Sequence, residues 1–342
     1  MKLDYIIVGG GYAGVMFAHQ LIKNNRSFIL ISDGIRSASE ISAGVCNPVV
    51  LKRFTGVWNA KNEIETVRNT FEEMEVYLGQ NFINKENLVR IFHDDVERDL
   101  WLKKSQNEDL KDFLDTDFIK LNAVKNEYLS GRVHDSLRVN VKAFFSSFYS
   151  YLEENKLYLK EAFDFSQLYL ETNTYKGFSF DKIVFCEGVN VNNNPYFSNL
   201  PVKGNRGHSI LISSDAEVDP YIIKKKFFLF KTNSKQFFVG GTYEWDQTVL
   251  EIIPESVKKL TSGLEEIFDK EYNIDEVNVA FRAVVHDRRP ILGSHAEHQS
   301  MYVLNGMGAR GVMNSCFFSK QLFEHIEYKK EIFPEVDVKR FQ

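Results

Sequence analysis

One stretch near the start of the chain restricts the fold more than any other: Gly9-Gly10-Gly11-Tyr12-Ala13-Gly14. It follows the short apolar run Tyr5-Ile6-Ile7-Val8, which reads as a buried parallel strand. After it, Val15, Ala18, Leu21 and Ile22 share one face of a helix, and Ser27-Phe28-Ile29-Leu30-Ile31 reads as a second buried strand. Strand, glycine turn, helix and strand make a βαβ unit of about 30 residues. In the spacing Gly9-x-Gly11-x-x-Gly14 the first glycine permits the tight turn. The second lets the backbone approach a pyrophosphate, and the third lets helix and strand pack closely. The helix N-terminus then offers free N–H groups and a partial positive charge to phosphates, with Tyr12 and Ala13 in its first turn. The loop therefore predicts dinucleotide binding. An acidic residue is expected about 20 positions on, at the ribose. Ser32 stands near that place and Asp33 follows it. Asp33 either reaches the ribose or starts the turn Asp33-Gly34. The loop alone leaves NAD and FAD both open.

The formal net charge of -5 gives no overall pull toward nucleic acid or anionic membrane. The three cysteines, Cys46, Cys186 and Cys316, lie far apart with no CxxC, so neither a disulfide framework nor a metal site is expected. No apolar run approaches the roughly 20 residues needed to span a bilayer. The opening segment reads as a strand rather than a signal peptide, which makes the cytoplasm the expected location.

Helical patterns recur at Asn62–Leu78, Val139–Leu152, Pro254–Lys270 and Ser315–Ile326. Strand patterns occupy Leu157–Leu170, Phe178–Cys186, residues 208–245 and Met301–Leu304. The polar, turn-rich stretch Asn190–Asn199 marks a crossing between domains. The predicted class is α/β, a Rossmann-like domain with a parallel sheet and flanking helices, joined to a domain with a mainly antiparallel sheet. The first is expected to be discontinuous, over 1–60, 132–200 and 276–342, and the second to take 61–131 and 201–275.

Five segments in order carry a family resemblance. They are the loop itself; Ile41-Ser42-Ala43-Gly44-Val45-Cys46-Asn47-Pro48; Asp181-Lys182-Ile183-Val184-Phe185-Cys186-Glu187-Gly188; Pro201-Val202-Lys203-Gly204 with Val239-Gly240-Gly241-Thr242-Tyr243-Glu244; and Arg282, Asp287, Pro290-Ile291-Leu292-Gly293 with Asn305-Gly306-Met307-Gly308-Ala309-Arg310-Gly311. Together they resemble the FAD-dependent D-amino acid oxidase superfamily, which includes glycine oxidase, sarcosine oxidase and the oxidase domain of the tRNA-modifying enzyme MnmC. The Met-Gly-Ala-Arg-Gly wording is nearest to the MnmC domain. Ser32 departs from the Glu usual in the family, and Cys186 and Glu187 replace small residues.

The resemblance implies a flavoprotein that holds FAD non-covalently. Gly9, Gly11, Tyr12, Ala13, Gly14, Ser32 and Asp33 would serve its ADP half. Ser42, Ala43, Gly44, Gly188, Gly306, Gly308, Ala309, Arg310 and Gly311 would serve the remainder. It implies oxidation of the C–N bond of an amino acid or secondary amine: hydride passes to the flavin, the imine is hydrolysed, and oxygen or another acceptor takes the electrons. Arg282 matches the arginine that pairs with the substrate carboxylate, and a planar guanidinium suits that task because it donates two parallel hydrogen bonds. The alternative for Arg282 is a structural ion pair. Tyr243 and His208 are further candidates on segments expected to line the cavity, Tyr243 to orient the substrate and His208 to take a proton. A carboxymethylaminomethyl-uridine in tRNA is the second substrate class, which the acidic charge disfavours. A flavin-binding protein without turnover is the third reading.

Overall fold

The computed structural model describes residues 1–245 and 249–341. The glycine loop lies where the sequence places it. Strand Lys2–Val8 leads through it into helix Tyr12–Lys23 and on to strand Phe28–Ser32. Around this unit a sheet forms in the spatial order 158–160, 28–32, 2–8, 178–185, 301–305, 291–294. The first five strands run parallel. The last, and a hairpin on the start of 178–185, are antiparallel.

Alternation along the strands separates two cores. Tyr5, Ile7, Phe28, Leu30 and Val184 face a layer of four helices, 12–23, 60–78, 141–154 and 311–328. Ile6, Val8, Ile29, Ile31, Ile183 and Phe185 face the other side, against Val191, Phe197, Leu200 and Val202. Helix Ala60–Leu78 belongs to the first layer because Ala60, Glu63, Ile64, Val67, Phe71 and Met74 form one buried stripe, packed on the C-terminal helix.

A second sheet runs in the order 273–284, 203–213, 236–240, 228–231, 222–224, 88–91, 130–133. It is antiparallel except where 222–224 pairs with 88–91. Helix Pro254–Glu265 covers one face through Leu260 and Leu264, against Ile210, Ile212, Phe237 and Val239. The loop before Ser42 reaches the other face: Arg36 donates to Asn278 Oδ1 at 3.0 Å and pairs with Glu276.

Element ends differ most from the sequence reading in three places. The expected strand 157–170 is strand only at Tyr158–Lys160 and Leu168–Tyr169, with a 3₁₀ turn between, because Asp164 accepts from the Ser166 N–H and ends the extended run. The helix from Pro254 stops at Glu265, where the chain turns to bury Ile267 and Phe268. The C-terminal helix begins earlier, at Gly311, and runs to Tyr328. Among the described residues no helix is long and apolar enough to cross a membrane.

Candidate functional site

Three parallel strands end side by side: Lys2–Val8, Phe178–Phe185 and Met301–Asn305. Ligands of open α/β sheets lie at such C-terminal strand ends. The glycine loop leaves the first strand. Gly9 has φ +108°, and a Cβ there would overlap the Cys186 carbonyl. A Cβ on Gly14 would overlap the Gly9 carbonyl, so the helix rests directly on the turn. Gly11, at the helix N-cap, supplies no side-chain cap. Instead Tyr12 N–H donates to Ser39 Oγ at 3.0 Å, and Tyr149 donates its hydroxyl to the Gly10 carbonyl at 2.6 Å.

At the end of strand Phe28–Ser32 the Ser32 carbonyl accepts from Tyr158. Asp33 Oδ1 accepts from the Ile35 N–H at 3.0 Å, and Gly34 has φ +73°, so the Asp33-Gly34 turn is formed. Gly44, at φ +66°, packs against strand Leu137–Val139, and its carbonyl accepts from Val139. Ala43 packs beside the Val49 and Leu51 cluster. The second and third strands close the site from the far side. The Gly188 carbonyl accepts from Asn305 Nδ2 at 2.9 Å, and Asn305 Oδ1 accepts from Gly306 N–H at 2.7 Å. Gly306 and Gly308 take φ +72° and +60°, turning the chain through Ala309 and Arg310 into Gly311. A Cβ on Gly311 would touch the Tyr12 ring at 3.4 Å. Residues 9–14, 188 and 306–311 are thus brought together.

The donor set suits a dinucleotide. The first turn of the Tyr12–Lys23 helix presents backbone N–H groups, and the buried hydroxyls without a hydrogen-bond partner include Ser37 Oγ, 4.0 Å from where a Cβ on Gly11 would lie. Buried polar groups are ordinarily satisfied, so orphaned ones beside a glycine cradle fit a polar ligand.

Sequence reasoning missed Glu63, because position 63 reads as an ordinary polar helix residue. It is fully buried, with Oε2 3.9 Å from Arg310 Nη1 and no hydrogen bond to either oxygen. Burial pushes its carboxyl up to about 7, with the Arg310 and Arg289 guanidinium groups pulling the other way. Burial likewise lowers Arg310. A raised acid stabilises the fold fully below its unfolded value, and that contribution is lost as pH climbs through about 7. At pH 8 the ionised Glu63 should therefore cost about 3 kcal/mol relative to the protonated form. Glu63→Gln is expected to be more stable than the parent by about 1–3 kcal/mol at pH 8 and equal to it at pH 4. Denaturant unfolding at the two pH values checks this, and a difference that does not change with pH would refute it.

In the second sheet, Arg282 lies directly opposite Asn205. Its Nη1 donates to Asn205 Oδ1 and to the Thr242 carbonyl, each at 3.0 Å. The guanidinium carbon stands 4.4 Å from the centre of the Tyr243 ring, which is 58% exposed. Gly207 and Gly241 make this possible, since a Cβ at either would crowd the guanidinium. A glycine inside a strand often marks such a close approach, and that is the signal in Lys203-Gly204-Asn205-Arg206-Gly207-His208 that the sequence reading did not use. Among the described residues no carboxylate pairs with Arg282, and burial lowers its affinity for its proton. Val284 shares the face of Arg282 and would meet a Cβ on Gly308 at 3.6 Å, so that face of the strand adjoins the 306–311 turn, while the guanidinium itself lies over Gly207, Gly241 and Tyr243.

His208 is on the opposite face, since it is an odd number of positions from Asn205 along one strand. Its Nε2 accepts from Ile253 N–H at 3.1 Å, and its Nδ1 lies 3.4 Å from both Glu244 Oε1 and Thr242 Oγ1. Burial holds the imidazole below its ordinary value, with Glu244 opposing. The structure brings Arg282 and Tyr243 together and sets His208 apart from them. The three cysteines are buried, and burial pushes their thiols up.

A glycine turn at parallel strand ends, with the 306–311 turn brought beside it, defines the class of α/β proteins built to hold a dinucleotide. The chain matches the FAD dependent oxidoreductase (DAO) family over residues 4–324 and belongs to it. Its fold is shared by glycine oxidase from Bacillus cereus, with a TM-score of 0.80 at 16% identity over 96% of each chain. Iminodiacetate oxidase from Chelativorans sp. BNC1 gives 0.79 at 16% identity, over 99% of this chain and 98% of that one. The dithionite-reduced, FAD-bound L-alpha-glycerophosphate oxidase from Mycoplasma pneumoniae gives 0.71 at 14% identity, over 98% and 97%.

Proposed function

We propose that the protein oxidises the C–N bond of a small amino acid or secondary amine of the glycine or sarcosine kind, and that Arg282 holds the substrate carboxylate. The observation that carries this reading is a half-buried guanidinium with no carboxylate partner among the described residues, on the strand face whose Val284 adjoins the 306–311 turn. A buried cation without a counter-ion is costly, and a bound carboxylate removes that cost with charge-assisted hydrogen bonds.

FAD, held without a covalent bond, would lie on Gly9–Gly14, Ser42–Gly44, Gly188 and Gly306–Gly311, and when bound it accepts the hydride from the substrate carbon. The chain's own part is positioning. Nη1 of Arg282 is taken by two chain acceptors, which leaves Nε and Nη2 as the side-on edge that matches a carboxylate. Tyr243 covers one face of the guanidinium and borders the same space. His208 cannot act as a base there, because its nitrogens are engaged on the other face of the sheet. The amine therefore gives up its proton to water on binding. The backbone N–H groups at Gly306–Gly311 and the start of the C-terminal helix would face the flavin where negative charge develops.

The test is an anaerobic screen of the purified yellow protein against glycine, sarcosine, proline and their carboxamides. Loss of visible flavin absorbance with the acids and not the amides is expected. Reduction by the neutral amides alone would overturn the carboxylate assignment. No reduction by any amine would favour a binding protein without turnover.

A further inference from the structure

We propose that Asn205 is the positioning residue of the carboxylate site, holding Arg282 with a neutral acceptor so that its charge stays available to substrate. The inference rests on the reading of Arg282 given above. Asn205 is 1% exposed and sits opposite Arg282 in the antiparallel register, so both side chains share a face. Both ends of its amide are used. Oδ1 accepts from Arg282 Nη1 at 3.0 Å, and Nδ2 donates to the Glu244 carbonyl at 3.1 Å. Turned over, the amide would set its NH₂ against a guanidinium and its oxygen against a carbonyl oxygen, so only one orientation is satisfied. The Glu244 segment is itself fixed. Its backbone pairs with Arg206 in both directions at 2.9 Å, its Oε2 accepts from Arg206 Nε at 2.8 Å, and Ser256 donates to its Oε1. Asn205 therefore ties Arg282 to the segment that carries Tyr243.

The residue type explains itself chemically. Arg282 crosses the backbone at Gly207 and Gly241, which present no side chain to it. Besides the Tyr243 ring against one face, its orientation is set by two acceptors, the Asn205 amide and the Thr242 carbonyl. Both are uncharged. A carboxylate at position 205 would hold the guanidinium equally well by geometry and would neutralise it, competing with the substrate as an internal anion.

The experiment compares wild type, Asn205→Asp, Asn205→Leu and Arg282→Ala as flavin-loaded proteins. Each is titrated with acetate, and with acetamide as the neutral control, and followed by flavin absorbance. Thermal unfolding of each checks the fold. Asn205→Asp should weaken acetate binding about 100-fold and leave acetamide binding within about threefold, a split that general structural damage would not produce. Asn205→Leu removes both hydrogen bonds without adding charge and should weaken acetate about tenfold, which keeps the test open if the Asp variant does not fold. Acetate affinity within about threefold of wild type in either folded variant, with Arg282→Ala impaired, overturns the role of Asn205 alone. Unchanged acetate binding by Arg282→Ala, or none by wild type, overturns the carboxylate site itself.

Discussion

Arg282→Ala is expected to lower kcat/KM for the amino acid substrate by about two to four orders of magnitude. Two charge-assisted hydrogen bonds are lost, each worth about 1.5–3 kcal/mol, and every 1.4 kcal/mol is tenfold. The protein should stay yellow, because Arg282 lies on the second sheet and the glycine cradle is built on the first. Stability should change little, since the variant removes a half-buried cation with no carboxylate partner among the described residues but leaves the Asn205 and Thr242 acceptors without their donor. Arg282→Lys keeps the charge and loses the planar fork, so an intermediate loss is expected. Steady-state kinetics with a flavin-content measurement decides it. A kcat/KM within threefold of wild type in Arg282→Ala would remove the assignment.

Gly14→Ala is expected to give protein without cofactor. The added Cβ meets the Gly9 carbonyl, a backbone atom that no rotamer change can move aside. The helix must lift from the turn, carrying its N-terminal N–H groups away from the phosphates they would bind. Over-packing of this kind costs about 1–3 kcal/mol in stability. Gly10→Ala is the matched control. There the Cβ meets the Tyr149 hydroxyl and the Ser32 side chain, which can yield, so most of the cofactor should be retained. Flavin per chain after purification, and reconstitution of apoprotein followed by fluorescence, measure both. Full flavin content in Gly14→Ala would show that the loop does not hold the cofactor.

Local features were legible because local physics produces them. The glycine spacing, the apolar run before it and the helical periodicity after it each act within a few residues, so the strand, turn and helix form where they were expected. The Gly306–Gly311 stretch was marked only through the family resemblance. Glu63 was not legible. It lies on the buried stripe of helix Ala60–Leu78 only because that helix packs on the C-terminal helix, some 250 positions later. His208 shows the same limit in another form. Its segment lines the site, but whether residue 208 or residue 207 faces the crevice depends on strand parity, and a one-residue change in register reverses it.

The division follows the range of the forces. By itself the sequence determined the glycine turn between the first strand and its helix, since only glycine fits where Gly9 and Gly14 press on backbone carbonyls. It also marked Arg282 as a residue suited to a carboxylate. Only the tertiary structure decided that Arg282 has no carboxylate partner among the described residues, that Asn205, 77 positions away, accepts a hydrogen bond from it, and that His208 faces elsewhere. Those outcomes depend on strand pairing and on burial by distant elements, and neither is carried by a residue's neighbours in the chain.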